Sequence, residues 1–165
     1  MVHRMNEQGR EPESVTRVRQ ALEVAGVAGA VRRLDDSART AVQAAAALGI
    51  DVGQIASSLV FLADGRPILV IASGGHRVDT GKVAALLKVE VIDKATADEV
   101  RAVTGFAIGG VAPLGHPAPI RTVVDVDLGQ YDEVWAAGGH PHYVFPTTFD
   151  ELVRITGGTP AEVGA

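Results

Sequence analysis

Cysteine is absent from all 165 residues. Its absence excludes disulfides, thiolate nucleophiles and cysteine-ligated metal. It also fits a cytoplasmic location, where disulfides rarely persist. Aromatic residues are scarce, at 4%, so the core must be built from aliphatic side chains. No apolar run approaches the roughly 18 residues a membrane helix needs. The polar opening MVHRMNEQGREPES lacks the hydrophobic segment of a signal peptide. Lysine and arginine (15) are outnumbered by aspartate and glutamate (20), leaving a net charge of −5. That balance argues against broad, nonspecific binding of duplex DNA, although a local basic patch on an acidic protein can still bind phosphate. The cations are scattered at Arg32-Arg33, Arg66, Arg77 with Lys82, and Arg121. They are either a solvated surface or, if the fold gathers them, phosphate contacts. Walker, GxSxG, HExxH and dinucleotide-binding patterns are all missing, so no cofactor is expected.

Hydrophobic residues make up 47% and charged residues 21%, the balance of a folded chain. Its length suits one domain. A flexible tail over residues 1–13 and a single domain over 14–165 are expected. Val15, Val18, Leu22 and Ala25 follow helical spacing, with Gly26 as a stop. Residues 29–34 read as a short strand. Ser37 or Thr40 opens an alanine-rich helix that ends at Gly49. Residues 55–63 and 67–73 form a hairpin around Asp64-Gly65, and both strands are apolar on both faces, as central strands are. Asp79 or Thr80 caps the next helix, followed by a strand at 89–92. Thr96 with Glu99 and Thr148 with Glu151 match capping boxes. Further strands are expected at 120–126, 133–137 and 143–146. The fold class is α+β, a mixed and partly barrel-like β-sheet flanked by helices.

The stretch TGFAIGGVAPLGHPAP, residues 104–119, holds four glycines, three prolines and one histidine but no charged residue. Phe106, Ile108, Val111 and Leu114 give it an inward-packing character unlike that of a polar linker. It is either a rigid loop presenting backbone N–H groups to a ligand or a packed turn between core elements. Gly-Gly pairs at 74–75, 109–110 and 138–139 are each followed within six residues by a histidine: His76, His116 and His140. If the strand ends lie together, these imidazoles line one rim; otherwise they are ordinary turns. His140 and His142 are spaced to share a strand face, either as surface histidines or as half of a metal site whose further ligands the spacing does not identify. Ser57 and Ser58 point to opposite faces of their strand, and either hydroxyl could meet a ligand.

The succession of an alanine-rich helix ending LGI, the hairpin QIASSLVFLADGRPILVIASG, then TGFAIGGVAPLG, EVWAAGGHP and FDELVRITGG resembles the YbaK/prolyl-tRNA-synthetase-associated domain family of aminoacyl-tRNA deacylases. The likeness runs from about Asp36 to Val163. TGFAIGGVAPLG looks like the family's TGxxxGGxxPxG loop, and EVWAAGGH like a second signature. The resemblance implies trans-acting hydrolysis of the ester in mischarged aminoacyl-tRNA. Its expected partners are the tRNA acceptor end and, in addition, an aminoacyl-tRNA synthetase, with no membrane and no DNA. Gly109, Gly110 and Ser57 take the catalytic positions under this resemblance. Phe106, Pro113, His116, Gly138, Gly139, His140 and His142 line the substrate pocket; no metal is implied. The alternative is a non-catalytic pocket protein that binds a small molecule or the acceptor end. Two departures stand out. Active members carry a lysine where Ser57 stands, in a KSL- or KTL-like context, and many carry an aspartate near Val144.

Overall fold

The computed structural model describes residues 11–165; the first ten positions of the expected tail lie outside the described residues. The fold is centred on the hairpin of β2 (Ile55–Ala63) and β3 (Arg66–Ser73). Asp64 (φ 48°) and Gly65 (φ 84°) are both left-handed, as a two-residue hairpin loop requires. The loop sets the register from Ala63↔Arg66 to Ala56↔Ser73. Leu69 and Ile71 enter the core on one face of β3, while Ile68, Val70 and Ala72 enter a second core on the other. β3 is therefore covered on both sides, and a fully buried aliphatic side chain there contributes about 1.5–3 kcal/mol.

Beyond β3 lie β5 (Arg121–Asp125) and β8 (Thr159–Ala161), each parallel to its neighbour. Beyond β2 lie β6 (Val134–Ala137), parallel to β2, then β7 (Tyr143–Thr147) and β1 (Arg32–Arg33), each antiparallel to the strand before it. β4 (Ile92–Lys94) branches onto the far half of β2. The sheet is mixed and flanked by helices, as expected. Its path is open, ending at β1 and β8, so its curvature stops short of a closed barrel.

Helices α1 (Glu13–Val24), α4 (Ala97–Thr104) and α5 (Phe149–Thr156) supply Val15, Val18, Leu22, Val100 and Leu152 to the larger core. α3 (Thr80–Leu87) covers the opposite face with Val83 and Leu87. α2 (Ala41–Leu48) packs Ala44 and Ala45 against Ile55 and Val144. Thr40 and Thr96 each form a reciprocal capping box, and Gly49, Gly105 and Gly157 end their helices in left-handed conformation.

Several sequence expectations shift. The strand expected at 29–34 shrinks to two residues. The strand expected at 89–92 starts only at Ile92, because the Asp64 carboxylate accepts from the amides of Glu90 and Val91 and holds them in a turn. At Thr148 half the box forms: Thr148 accepts from the Glu151 amide, but the Glu151 carboxylate accepts from the Thr147 hydroxyl. β8 was not foreseen; it is three residues long and contains Pro160. No helix among the described residues is long and apolar enough to cross a membrane.

Candidate active site

The loop after α4 begins with a β-turn. The Gly110 amide donates to the Ala107 carbonyl at 3.0 Å, and Gly109 between them has φ 89°, a position that favours glycine. Among the described residues, no carbonyl accepts from the amides of Ile108 or Gly109. Gly109 is exposed and Gly110 buried. A Cβ on Gly110 would lie 2.6 Å from the Cα of His140 and 2.9 Å from its backbone N and C. The glycine loop thus rests directly, backbone on backbone, on the turn between β6 and β7. Pro141 closes over Gly109, 3.7 Å from where a Cβ would stand.

The second glycine pair faces elsewhere. A Cβ on Gly138 would meet Val31 at 2.9 Å, and one on Gly139 (φ 102°) would meet the Ser14 carbonyl at 2.7 Å. Ser14 Oγ donates to the Gly139 carbonyl at 2.7 Å. Gly138 and Gly139 admit α1 and Val31, and it is His140 and Pro141 that meet the glycine loop. His140 and His142 lie side by side, ring centroids 5.4 Å apart, and Tyr143 packs edge-on to His140 at 5.5 Å. Burial holds the His140 imidazole below its ordinary pKa, reinforced by His142 and Arg33.

Phe106 is fully buried, with the Arg17 guanidinium 4.7 Å above its ring and His116 edge-on at 6.1 Å. Arg17 also donates to the Gly105 carbonyl at 2.7 Å. His116 Nε2 sits 2.8 Å from the Ala112 carbonyl, and burial lowers the pKa of its ring. Pro113 is buried. A cavity of about 300 Å³ runs along Pro113, His116 and Pro119 toward Thr122, Ile155 and Thr156. It follows the second half of the loop and does not reach the contact between Gly110 and His140.

On β2, alternation places Ser57 on the face of Ile55 and Leu59, and Ser58 on the face of Ala56 and Val60. Ala56 and Val60 belong to the core cluster that contains Phe106, Val111 and Ala112. The hydroxyl on the glycine-loop face is therefore that of Ser58; strand parity reveals it only once the packing of each face is known.

β3 runs antiparallel and β6 parallel to β2, so His76 and His140 leave their strands in opposite directions and do not share a rim. His76 bridges two carboxylates, Nε2 to Asp125 at 2.5 Å and Nδ1 to Asp127 at 3.1 Å. Sequence reading missed this cluster, and no spacing signal marks it. Among the described residues these three are the set whose ligand-type atoms lie within 4.8 Å of one another. Both ring nitrogens already face carboxylates, which makes the cluster a clip. His140 and His142 are not part of it.

Both motifs that meet at Gly110 and His140 lie within the range matched by a known family. A profile described as the aminoacyl-tRNA editing domain matches residues 35–155. The chain belongs to the aminoacyl-tRNA editing domain family. It is 39% identical over 138 residues to a proline–tRNA ligase of Bacillus licheniformis, covering 78% of this chain and 24% of that one. The chain thus spans a quarter or less of the first proline–tRNA ligases it matches. Bacillus subtilis YwhH is 31% identical over 129 residues, 76% of this chain and 80% of that protein. A solved structure described as a proposed trans-editing enzyme for prolyl-tRNA synthetase superposes with a TM-score of 0.89 at 44% identity, covering 94% of this chain and 99% of that one. The structure of protein APE2540 gives a TM-score of 0.83 at 29% identity.

Proposed function

We propose that the protein hydrolyses mischarged aminoacyl-tRNA in trans, at the junction of the glycine loop and the turn carrying His140. The observation that carries this reading is the backbone contact between Gly110 and His140, which joins the two stretches that resemble family signatures at one place. Water attacks the ester carbonyl carbon, the bond to the terminal ribose oxygen breaks, and that oxygen takes up a proton as the amino acid leaves. The Ile108 and Gly109 amides are the loop donors offered to the developing oxyanion. Gly110 cannot serve, because its amide closes the turn. Preorganised donors of this kind are typically worth ~10²–10³ in rate each, and an aminoacyl ester is activated enough for them to suffice with a positioned water.

His140 and His142 stand beside the junction as contacts to the acceptor end, while Phe106, Pro113 and His116 hold the loop's shape from behind. The family resemblance sets Ser57 at the position of a lysine in active members, so a neutral hydroxyl takes the place of an ammonium. That departure favours a second reading, a pocket that binds the acceptor end without turnover. The trans mode draws support from the likeness to the proposed trans-editing enzyme. Resemblance to a segment of proline–tRNA ligases points to that synthetase's tRNA and its misacylated products. A deacylation screen over a panel of charged and mischarged tRNAs tests the reading. Release of amino acid from at least one mischarged tRNA, lost in Gly110→Ala, is expected. Binding without turnover across the panel would establish the second reading instead.

A further inference from the structure

β2 has a notch. β6 pairs only with Ile55 and Ala56, and β4 only with Phe61, Leu62 and Ala63. Residues 57–60 therefore have no strand on that side among the described residues. The Ile55 carbonyl accepts from Gly74 on the β3 side, and the Asp64 amide donates toward β4. By alternation the N–H and C=O of Ser58 and Val60 point into the notch. On the glycine-loop face, Ala56 (1% exposed) and Val60 (8%) are closed over. Ser58 between them is half-buried. Its Oγ is buried and has no hydrogen-bond partner. An orphaned buried hydroxyl calls for an explanation, and its surroundings are apolar: Ile71 opposite it on β3, then Ala56 and Val60.

We propose that Ser58 is a specificity-determining residue whose hydroxyl reads the side chain of the esterified amino acid, selecting a small side chain with a hydrogen-bonding group over an apolar isostere. The inference rests on the deacylase reading of the same site. The buried depth of the hydroxyl decides which part of the substrate reaches it. The nucleotide is too bulky and polar to enter an apolar interior, so the group able to pair with a buried hydroxyl is the tip of the amino-acid side chain. A hydroxyl there satisfies Ser58, whereas a methyl leaves it unpaired. Sites built to pair a substrate hydroxyl discriminate strongly against analogues that lack it.

The test compares seryl and 2-aminobutyryl esters of one tRNA, which differ by a hydroxyl in place of a methyl, and their non-hydrolysable 3′-amide analogues in binding. The wild-type protein should favour the seryl form by about tenfold or more, and Ser58→Ala should bring the ratio to within about threefold while Ser58→Thr retains it. Because the substitution removes an unpaired group, Ser58→Ala should leave the melting temperature unchanged or raise it. A fall in melting temperature with the ratio preserved would make the hydroxyl structural and overturn the proposal. Turnover or binding with no seryl preference in the wild type sinks this inference alone. Failure to turn over any ester or to bind any amide analogue sinks the deacylase reading along with it.

Discussion

Gly110 shows how much a single hydrogen atom can decide. A methyl in its place would lie inside contact distance of three backbone atoms of His140, and backbone cannot rotate away as a side chain can. Gly110→Ala should therefore push the loop off the β6–β7 turn. It should cost about 1–3 kcal/mol of stability as an overpacking change, and deacylation should fall by more than the stability loss explains. Activity and urea denaturation measured on the same sample check this. His116 and His140 make a second prediction at this scale. Burial lowers both pKa values below the ordinary 6.5, so the folded state binds fewer protons than the unfolded chain. Their contribution to stability is complete above 6.5 and is lost as pH falls toward the lowered folded values. Ring resonances followed by NMR should titrate below 6.5 at both positions. A midpoint above 6.5 at either would contradict the burial described for it.

At the scale of elements, α1 braces the glycine loop and the β6–β7 turn. Ser14 holds the Gly139 carbonyl, and Arg17 holds the Gly105 carbonyl and covers Phe106. One helix face thus ties the root of the glycine loop to the turn it rests on. Ser14→Ala with Arg17→Met removes two side-chain bonds, each worth about 0.5–1.5 kcal/mol. Amide exchange should speed up around residues 105–112 and 138–142 while β3 stays protected, and turnover should drop without direct contact to substrate. Equal acceleration across the whole sheet would make α1 a general stabiliser and not a brace. The loop and the turn were legible in the sequence because glycine pairs, prolines and missing charge are local signals. So were the hairpin and its register, which Asp64-Gly65 dictates. The brace was not legible, because a helix of alternating charge and valine shows which face is buried but not what lies beneath it. The same limit hid the role of Ser58: Ser57 and Ser58 are equivalent until the packing on each side of β2 says which face holds the glycine loop.

At the scale of the molecule, the Gly110–His140 junction and a second cluster follow strands that run in opposite directions. In that second cluster His76 joins Asp125, a fully buried carboxylate that also accepts from the Ser73 and Asp127 amides, to Asp127. The end of the chain is fastened to this clip. Gly164 packs against the His76 ring where no Cβ would fit, the Lys82 ammonium donates to the Gly164 carbonyl, and the Asp79 backbone amide donates to that of Val163, which fills the second core. His76→Ala leaves Asp125 buried without its ring partner. Leaving a buried acceptor short of a partner costs about 1–3 kcal/mol, which for a chain of this size lowers the melting temperature by roughly 2–12 °C. The folded fraction should keep its deacylation rate to within about twofold, because the loss is remote from the glycine loop. Asp125→Asn, which keeps an acceptor for the Ser73 amide, should cost less. Thermal melts alongside turnover measured well below the melting range separate the two quantities. A variant that melts like the wild type but has lost turnover would move the clip into the proposed site.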